Sequence, residues 1–219
     1  MRLKNARGEA TDLAHPLAGP LASQLRVGAD ARRVLLLGVG SGRNVPPLLE
    51  AGLSVEAIEP DPERTQAARA RFAGEAGVRI VEAPLLGLWP VAGDFAGALS
   101  THALLHGDRA TVLALLAAVG ERLRPGAPFF LTLGSAADPR CGTGTRIDDF
   151  TWLPAGGSEA GVPHVYFSES DARALLRGWV VDSLDECSAA ESAGRWAHTE
   201  SEAARMVHWF VRARRGALI

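Results

Sequence analysis

The sequence predicts an α/β fold in which helices cover both faces of a doubly wound, mostly parallel sheet. Short apolar runs typical of strands alternate along the chain with segments whose apolar residues recur at helical spacing. The first run, 34–37, leads into a loop with glycines at the alternate positions of 38–42, and the second run, 55–58, ends on Glu59. This layout is typical of a nucleoside site at the first turn of such a sheet.

Each element has its own signal in the sequence. Pro16 and Pro20 interrupt any earlier helix, so the first helix begins near residue 19, and Pro62 suits the first turn of the helix after the second strand. Ser168 or Ser170 can cap a late helix. The predicted helices are 19–27, 44–52, 62–74, 111–123 and 171–177, and the predicted strands are 33–38, 54–59, 78–82, 95–100, 129–133, 179–184 and 206–213.

We expect one domain, residues 1–219, which is large enough to bury a substantial core. Within it, residues 1–28 are predicted to form a tail and a cover helix. Residues 135–168, rich in glycine, aspartate and proline, are predicted to be a long irregular loop. Because this loop follows the fifth strand on the carboxyl side of the sheet, where ligands bind in open α/β folds, we expect it to cover the substrate.

Composition argues against several classes of protein. Hydrophobic residues make up 47% of the chain and charged residues 22%, and the net charge is −2, so no strongly basic surface favours nucleic acid or an anionic membrane. The sequence has no apolar run of the roughly 18 residues that a membrane span needs. Its two cysteines lack close metal-ligand spacing, which fits a reducing compartment. We therefore expect a cytoplasmic monomer or homodimer.

The spacing of the glycines distinguishes a dinucleotide-binding loop from a loop for a cofactor without a pyrophosphate. A dinucleotide site needs a third glycine three positions after the second, and that position is Arg43. The third glycine here is Gly42, which gives G-x-G-x-G. A loop of this kind suits a ligand without a pyrophosphate, such as S-adenosylmethionine (SAM), and the Glu59 carboxylate can accept hydrogen bonds from both ribose hydroxyls.

Over nearly its whole length the chain resembles the class I SAM-dependent methyltransferases. The glycine loop and Glu59 match the first two motifs of that family, and 78–83 and 97–102 resemble its third and fourth strands. Segment 123–131 resembles the family's L-x-P-G-G turn into the fifth strand. The resemblance implies a Rossmann-like methyltransferase fold, with seven strands in three αβα layers and an antiparallel last strand.

The resemblance also implies SAM as the cofactor and S-adenosylhomocysteine as the product. Within the family, segments 100–106 and 208–211 are most similar to small-molecule methyltransferases of the tellurite-resistance and thiopurine type. The cofactor-binding residues that the resemblance implies are Gly38, Val39, Gly40, Ser41, Gly42, Asn44, Glu59, Pro60, Glu82, Ala83, Ser100 and Thr101.

The chain departs from the family pattern at two positions. The family has an acidic residue two positions before the first glycine, near the methionine ammonium, and here that position is Leu36. The acid that usually opens the fourth strand falls at Ala96, although Asp94 is close by. A charge-assisted hydrogen bond of this kind is worth about 1.5–3 kcal/mol, so its loss motivates an alternative hypothesis of a binding protein without catalysis.

Two histidines directly after the fourth strand are the first candidates for catalysis. Methyl transfer from a sulfonium mainly requires alignment of the acceptor and exclusion of water, and a base is needed only for an acceptor that carries a proton. His102 or His106 could orient or deprotonate an acceptor, and their spacing would place both on one helical face. Because Ala103 replaces the glutamate of a zinc-binding H-E-x-x-H motif, we expect no metal.

The long loop supplies further candidates. Arg146 could bind an anionic acceptor, or it could simply pair with Asp148. Aromatic walls with a few polar groups suit a small, partly apolar acceptor. We expect His208, in the last strand, to be a core or edge residue rather than a catalyst. The predicted substrate-binding residues are Phe150, Trp152, His164 and Tyr166 from the loop, with Arg195 and His198 from the segment before the last strand.

The leading hypothesis is a SAM-dependent methyltransferase that modifies an S, Se, Te, O or N atom of a small molecule. The first alternative is a catalytically inactive protein that binds SAM or a nucleoside. The second is an NAD-dependent oxidoreductase, against which Arg43 argues. A nucleic-acid acceptor is disfavoured because the chain has no basic stripe and lacks the Asn/Asp-Pro-Pro-aromatic motif after the fourth strand.

Overall fold

The apolar runs of the sequence form the strands of one continuous sheet in the computed structural model, which describes residues 13–26, 32–87, 89–156, 159–189 and 206–216. The strands are β1 (Arg33–Leu37), β2 (Ser54–Glu59), β3 (Val78–Glu82), β4 (Gly97–Ser100), β5 (Pro128–Ser135), β6 (Thr145–Arg146), β7 (Thr151–Leu153), β8 (His164–Phe167), β9 (Trp179–Ser188) and β10 (Val207–Arg215). The helices are α1 (Ala18–Leu25), α2 (Val45–Glu50), α3 (Pro62–Arg71), α4 (Arg109–Arg122) and α5 (Glu169–Leu175).

The central part of the sheet has the order β3-β2-β1-β4-β5-β10-β9. The first five of these strands are parallel, which places their carboxyl ends at one edge. β10 lies antiparallel between β5 and β9, so the antiparallel last strand implied by the resemblance is confirmed. The start of β10 therefore lies at the same edge as the carboxyl end of β5.

The segment 135–168 is not the irregular loop that its composition predicts. It contains β6, β7 and β8, which extend the sheet from the end of β5: β8 runs parallel to β5 at Gly134 and Ser135, and β7 and β6 follow antiparallel. The described sheet has ten strands rather than seven for this reason. The three added strands are two to four residues long and separated by turn residues, so they are too short to show a two-residue periodicity in the sequence.

Helices cover both faces of the sheet and give the predicted three layers. The inward side chains of α1, α2 and α3 share one apolar cluster with Val34 and Leu36 of β1. Those of α4 and α5 share the other cluster with Leu35 and Leu37. All four β1 residues are completely buried, because alternate side chains of a central strand point into opposite helical layers.

Side-chain caps determine where several helices begin. The Asp61 carboxylate accepts hydrogen bonds from the backbone N–H groups of Glu63 (2.9 Å) and Arg64 (3.0 Å) at the start of α3. Asp108 caps α4 in the same way, so this helix begins two residues before the predicted start at 111. Ser168 caps α5, which begins at Glu169 rather than 171.

Among the described residues, the longest helix is α4 with 14 residues, and none combines the length and apolar character that crossing a membrane would require. The cover helix predicted within residues 1–28 corresponds to α1, which packs against α2, β4 and β5. The predicted tail, residues 1–10, lies outside the described residues.

Candidate active site

The glycine loop leaves β1 with a backbone that only glycine adopts easily. Gly38, Gly40 and Gly42 have φ angles of 73°, 50° and 80°. The Gly38 N–H donates to the carbonyl of Ile58 at 2.9 Å, which joins the loop to the end of β2. A Cβ atom at Gly40 would meet no protein atom within 4 Å, so the space in front of this residue is open to a ligand.

The other two glycines are required by packing. A Cβ at Gly42 would lie 2.5 Å from the Phe72 ring, and one at Gly38 would lie 3.1 Å from the Ala103 side chain. Ser41 is exposed, and its carbonyl accepts a hydrogen bond from Arg71. The loop is therefore held from behind by α3 and open in front at Gly40.

Glu59 is buried at the end of β2 and faces the loop. One of its carboxylate oxygens accepts from the Gly40 N–H at 2.9 Å, and the other accepts from the Asp61 N–H at 3.3 Å. An ionised carboxylate has about four acceptor positions, so two remain for other donors. This fits a ligand with two adjacent hydroxyl groups.

The neighbouring strand end carries the remaining adenine-side residues predicted from the sequence. Glu82 lies opposite Glu59 in the β2–β3 register and is exposed, as is Pro60. The Ala83 N–H donates to the Glu59 carbonyl at 3.1 Å. The structure therefore places Glu59, Pro60, Glu82 and Ala83 along the same edge of the sheet.

The end of β4 meets the glycine loop through Asn44. The Asn44 amide donates to the Thr101 hydroxyl at 2.8 Å and accepts from the His15 N–H at 2.9 Å. Next to this contact, the Ser100 hydroxyl is buried and has no hydrogen-bond partner in the described part of the chain. A buried hydroxyl is rarely left unpaired, so Ser100 fits a position that a bound ligand completes.

Leu36 occupies the position where the resembling family has an acid. It is completely buried in the same apolar cluster as Leu21 of α1 and Leu48 of α2. A carboxylate among these aliphatic side chains would have to be desolvated without a partner, at a cost of several kcal/mol. The packing of α1 over the sheet thus accounts for a leucine at this position.

Three buried histidines lie together at the carboxyl edge of the sheet. The rings of His15 and His102 meet edge to face with centroids 5.6 Å apart, and those of His102 and His208 with centroids 5.2 Å apart. Burial, with the nearby Arg43 charge and His208, lowers the pKa of His15 to about 2. Burial also lowers the pKa of His208 to about 3. His15 and His208 are therefore neutral at pH 7.

His102 holds its place with a backbone that side chains seldom adopt. Its φ angle is 67°, in the left-handed region, and its N–H donates to the Thr132 hydroxyl at 2.8 Å. Such conformations are uncommon outside glycine and concentrate at functional sites. The conformation turns the chain between β4 and the single 3-10 turn Ala103–Leu105.

The two histidines predicted to share one helical face are separated instead. Because His102 is left-handed and only one 3-10 turn follows, His106 has an extended backbone. Its ring packs against His164, with centroids 4.9 Å apart, and both histidines contact Glu159. The prediction of one shared face for His102 and His106 is wrong, because it assumed a regular α-helix after β4.

A second polar cluster lies beside the histidine stack. The buried Asp138 accepts two hydrogen bonds at 2.9 Å from the Arg140 guanidinium, and Arg140 also lies 3.4 Å from His208 and 3.6 Å from Glu159. Burial opposes ionisation of Asp138, but the bonds from Arg140 outweigh it and hold its pKa below the usual value. Hydrogen bonds from His106 and His164 hold the pKa of Glu159 well below its usual range.

The remaining predicted residues of the long segment are divided between this cluster and the surface. Tyr166 is buried near Arg140, burial raises its pKa, and its ring meets Trp152 at 5.9 Å. Phe150 packs on Phe167 and lines a shallow surface groove at the start of α4 instead.

Arg146 lies on the exposed strand β6. It contacts neither the stack of His15, His102 and His208 nor the pair of His106 and His164. Its guanidinium is 2.5 Å from the Asp149 carboxylate and donates to the carbonyl of Asp148. Arg146 therefore forms its ion pair with Asp149 rather than with Asp148, the partner considered in the sequence analysis. Arg195 and His198 lie outside the described residues.

The sequence did not indicate four of these residues: His15, Asp138, Arg140 and Glu159. Each follows a proline, precedes one or lies among turn residues, where no periodicity marks a buried position. Only the Asp-Pro-Arg order of 138–140, which allows a carboxylate and a guanidinium to meet across a turn, was a usable signal. His208, expected in the core, is buried there but also belongs to the histidine stack.

Residues 34–126, which contain the glycine loop, Glu59 and the end of β4, match a family model described as a methyltransferase domain. No curated protein matches the chain.

Solved structures share the fold. A SAM-dependent methyltransferase from Methanosarcina mazei has a TM-score of 0.70 at 16% identity, and the alignment covers 93% of this chain and 99% of that one. TehB from Haemophilus influenzae has a TM-score of 0.62 at 16% identity, with 90% and 62% covered. At such identities the likeness concerns the fold.

A third structure was solved with ligands. The 1,6-didemethyltoxoflavin-N1-methyltransferase of Burkholderia thailandensis, with bound 1,6-didemethyltoxoflavin and S-adenosylhomocysteine, has a TM-score of 0.58 at 22% identity, with 91% and 78% covered. The family match spans the segment that carries the loop and its carboxylate, and the shared fold extends over at least 90% of the chain. Residues 34–126 therefore match a methyltransferase domain, the chain has the fold of SAM-dependent methyltransferases, and both likenesses support SAM as the cofactor.

Proposed function

We propose that this enzyme methylates a small molecule in a closed pocket beneath its covering segments. The observation that carries the proposal is the burial of the three histidines at the carboxyl edge of the sheet, where His15, His102 and His208 expose at most 8% of their surface. A large macromolecular acceptor could not reach such a position, whereas a small molecule could be enclosed there.

The cofactor would be held by the residues that the sequence analysis assigned to it. Glu59 would accept the ribose hydroxyls, Glu82 and Ala83 would lie beside the adenine, and the open face of Gly40 would allow close approach. Asn44, Ser100 and Thr101 would line the side toward β4, with Gly38, Val39, Ser41, Gly42 and Pro60 shaping the loop. When bound, SAM supplies a methyl group that is already activated.

The histidine stack favours acceptors that need little help from a base. His15 and His208 have pKa values near 2 and 3, so they are weak bases and would orient an acceptor rather than deprotonate it. His102, between them, would be the candidate to take a proton. Among S, Se, Te, O and N nucleophiles, this favours those that are anionic or unprotonated at neutral pH. His106 and Arg146, the other catalytic candidates, lie outside the stack.

The substrate pocket would be closed by α1 on one side and by the β6–β8 extension on the other. Tyr166, Trp152 and His164 support this because they lie together on β7 and β8. Phe150 supports it less well, since it faces a surface groove. The proposal includes Arg195 and His198, a single domain over 1–219, a cytoplasmic location, a monomer or homodimer, and neither a nucleic-acid nor a membrane partner.

A second candidate function follows from Leu36. With an aliphatic residue where the family has an acid, the protein would bind SAM or a nucleoside and transfer nothing. The same site would then serve recognition alone.

Two measurements on the purified protein separate these functions. Calorimetric titration with SAM and with S-adenosylhomocysteine measures binding, and a panel of thiol, selenite, tellurite, amine and hydroxyl acceptors is then followed by formation of S-adenosylhomocysteine. Micromolar binding with turnover of any panel member supports the enzyme. Binding without turnover across the panel favours the second candidate, and turnover only on a protein or nucleic acid would contradict a small-molecule acceptor.

A further inference from the structure

Two histidines and a glutamate from separate segments meet under the β6–β8 extension. His106 follows the 3-10 turn, His164 begins β8, and the backbones of these two residues are joined by an isolated antiparallel bridge. Glu159 lies in the loop before β8. One ligand atom from each of the three residues lies within 4.8 Å of the other two.

The two nitrogen–oxygen distances in this cluster are close to those of a coordination shell. The Nε2 atom of His164 lies 2.9 Å from one Glu159 oxygen, and the Nε2 atom of His106 lies 3.5 Å from the other. In a tetrahedral site with metal–ligand bonds of about 2.0–2.1 Å, neighbouring ligand atoms are about 3.3 Å apart. The two observed distances bracket this value.

The orientation of His164 requires a positive charge, either on the ring as a second proton or beside it as a metal ion. Its Nδ1 atom lies 2.8 Å from the Val162 carbonyl, which can only accept, so Nδ1 carries the hydrogen. In the neutral ring, Nε2 then presents a lone pair to the Glu159 carboxylate, which also only accepts. Two acceptors 2.9 Å apart are stable together only if a metal ion lies between them or the ring carries a second proton. A hydrogen bond from Nδ1 to a backbone carbonyl is also the usual support of a metal-binding histidine.

The carboxylates around the cluster are not fully neutralised by the nearby positive side chain, so an additional cation would be favourable there. Arg140 is the positive group near Glu159, but it forms a two-bond pair with Asp138 and reaches Glu159 only at 3.6 Å. Two carboxylates therefore share one guanidinium in the described part of this region. His164 is almost completely buried, whereas His106 and Glu159 are each more than one-third exposed, which gives an ion a path from solvent.

We propose that His106, Glu159 and His164 bind a divalent transition-metal ion, with Zn²⁺ as the probe. Two imidazoles and one carboxylate suit Zn²⁺ and neighbouring ions, and three protein ligands leave a coordination position for water. The ion would join the loop before β8 to the segment after β4 and so hold the covering extension in place. None of the three ligands belongs to the histidine stack, although His164 also lies among the residues proposed to line the substrate pocket.

The test is zinc binding by the whole protein. After treatment with a chelator, the protein is titrated with ZnCl₂ by calorimetry and its metal content is measured after dialysis. We expect one zinc per chain. We expect Glu159→Gln and His106→Ala, which alter half-exposed side chains, each to weaken binding at least tenfold, since loss of a ligand or of its support typically costs 10–100-fold.

Two control variants make the result specific. Glu169→Gln removes an exposed carboxylate that pairs with Arg173 on α5, and Cys141→Ser removes a thiol in the same extension. Both should bind zinc like the unaltered protein. Unaltered affinity in Glu159→Gln and His106→Ala, or loss of binding in Cys141→Ser alone, would assign the zinc elsewhere and overturn the proposal.

A third possible outcome is that a second proton on the His164 ring takes the place of the metal ion. If His164 is doubly protonated at pH 7 by nitrogen NMR and the protein takes up no zinc, the cation is a proton and the metal proposal fails. Metal content and NMR do not depend on methyl transfer, so this result is distinct from any failure of the proposed function.

Discussion

At the scale of single residues, the three glycines of the loop have different tasks. Gly40 faces open space, whereas Gly42 is packed against Phe72. The sequence shows only their spacing. A glycine that makes room for a ligand and a glycine that makes room for a phenylalanine ring are the same residue type, so the sequence does not distinguish them. Substitution separates the two tasks.

We expect Gly40→Val to abolish SAM binding and leave the protein folded, although a β-branched side chain at a φ of 50° costs about 1–3 kcal/mol of stability. The side chain would fill the space that the cofactor needs. Gly42→Val carries a similar backbone cost at a φ of 80° and should lower the free energy of unfolding by about 1–3 kcal/mol more, because it also overpacks the contact with Phe72. Calorimetry with SAM and urea unfolding measure the two effects. Unchanged SAM affinity in a folded Gly40→Val protein would contradict the assignment of the loop.

The role of Glu59 in cofactor binding is tested by removing its carboxylate. We expect Glu59→Ala to weaken SAM binding by about 1–3 kcal/mol, or roughly 5- to 150-fold, since two bonds to a charged acceptor are lost. The variant also removes the acceptor of the Gly40 N–H, so loop order should be checked by amide exchange. Glu63→Gln, on the exposed face of α3, is the control. A change of only a few tenths of a kcal/mol would show that Glu59 merely ends the strand.

The histidine stack shows where residue-level reasoning from the sequence stops. His102 was predicted from its position after β4, but His15 and His208 are 87 and 106 positions away from it in the chain. Their meeting depends on α1 packing over the sheet and on β10 entering between β5 and β9. No local spacing contains that information.

At the scale of elements, the strongly periodic parts were predictable and the short ones were not. Strands β1 to β5 are apolar runs and α4 has apolar residues at helical spacing, and their predicted bounds differ from the observed ones by two residues or fewer. β6 to β8 were missed because short strands gain their stability from neighbours rather than from their own sequence. The predicted cofactor residues lie on or directly after the strands that were predicted correctly. Glu159 and Arg140, which were missed, lie in the segment that contains β6 to β8.

Asp138 connects two of these elements, the turn after β5 and the start of β10. Its carboxylate accepts from the Val207 N–H at 2.9 Å and pairs with Arg140. We expect Asp138→Ala to lower the free energy of unfolding by about 3–5 kcal/mol, because it leaves a partly buried guanidinium with only its longer contact to Glu159. Urea unfolding gives the value.

The matched control for this prediction is Asp182→Ala, which breaks the exposed pair between β9 and Arg214 of β10. Exposed pairs contribute little, so this variant should unfold nearly like the unaltered protein. Equal losses from both variants would mean that burial of Asp138 adds nothing to the pair.

At the scale of the whole molecule, the neutral histidines make stability depend on pH. The pKa values of His15 and His208 are about 2 and 3 when folded and about 6.5 when unfolded. The unfolded chain therefore binds more protons, and stability is present above pH 6.5 and is lost as the pH falls toward 3.

Between pH 7 and pH 5 we expect each of these histidines to remove about 2 kcal/mol from the free energy of unfolding, or about 4 kcal/mol together. Asp138 and Glu159, whose pKa values are lowered on folding, act mainly below about pH 4.5 and add little in this range. Urea unfolding at the two pH values measures the change. A His15→Gln, His208→Gln double variant should lose much less, and an equal loss would assign the effect to other groups.

The position of β10 has a consequence for synthesis of the protein. This strand follows every other described strand along the chain, yet it lies between β5 and β9. Until it leaves the ribosome, the long buried strand β5 keeps one edge unpaired and β9 has no described neighbour. Unpaired edges of apolar strands associate readily with other chains. Completion of the sheet is thus a late, long-range event, and a nascent chain stalled before residue 207 should be a preferred substrate for chaperones.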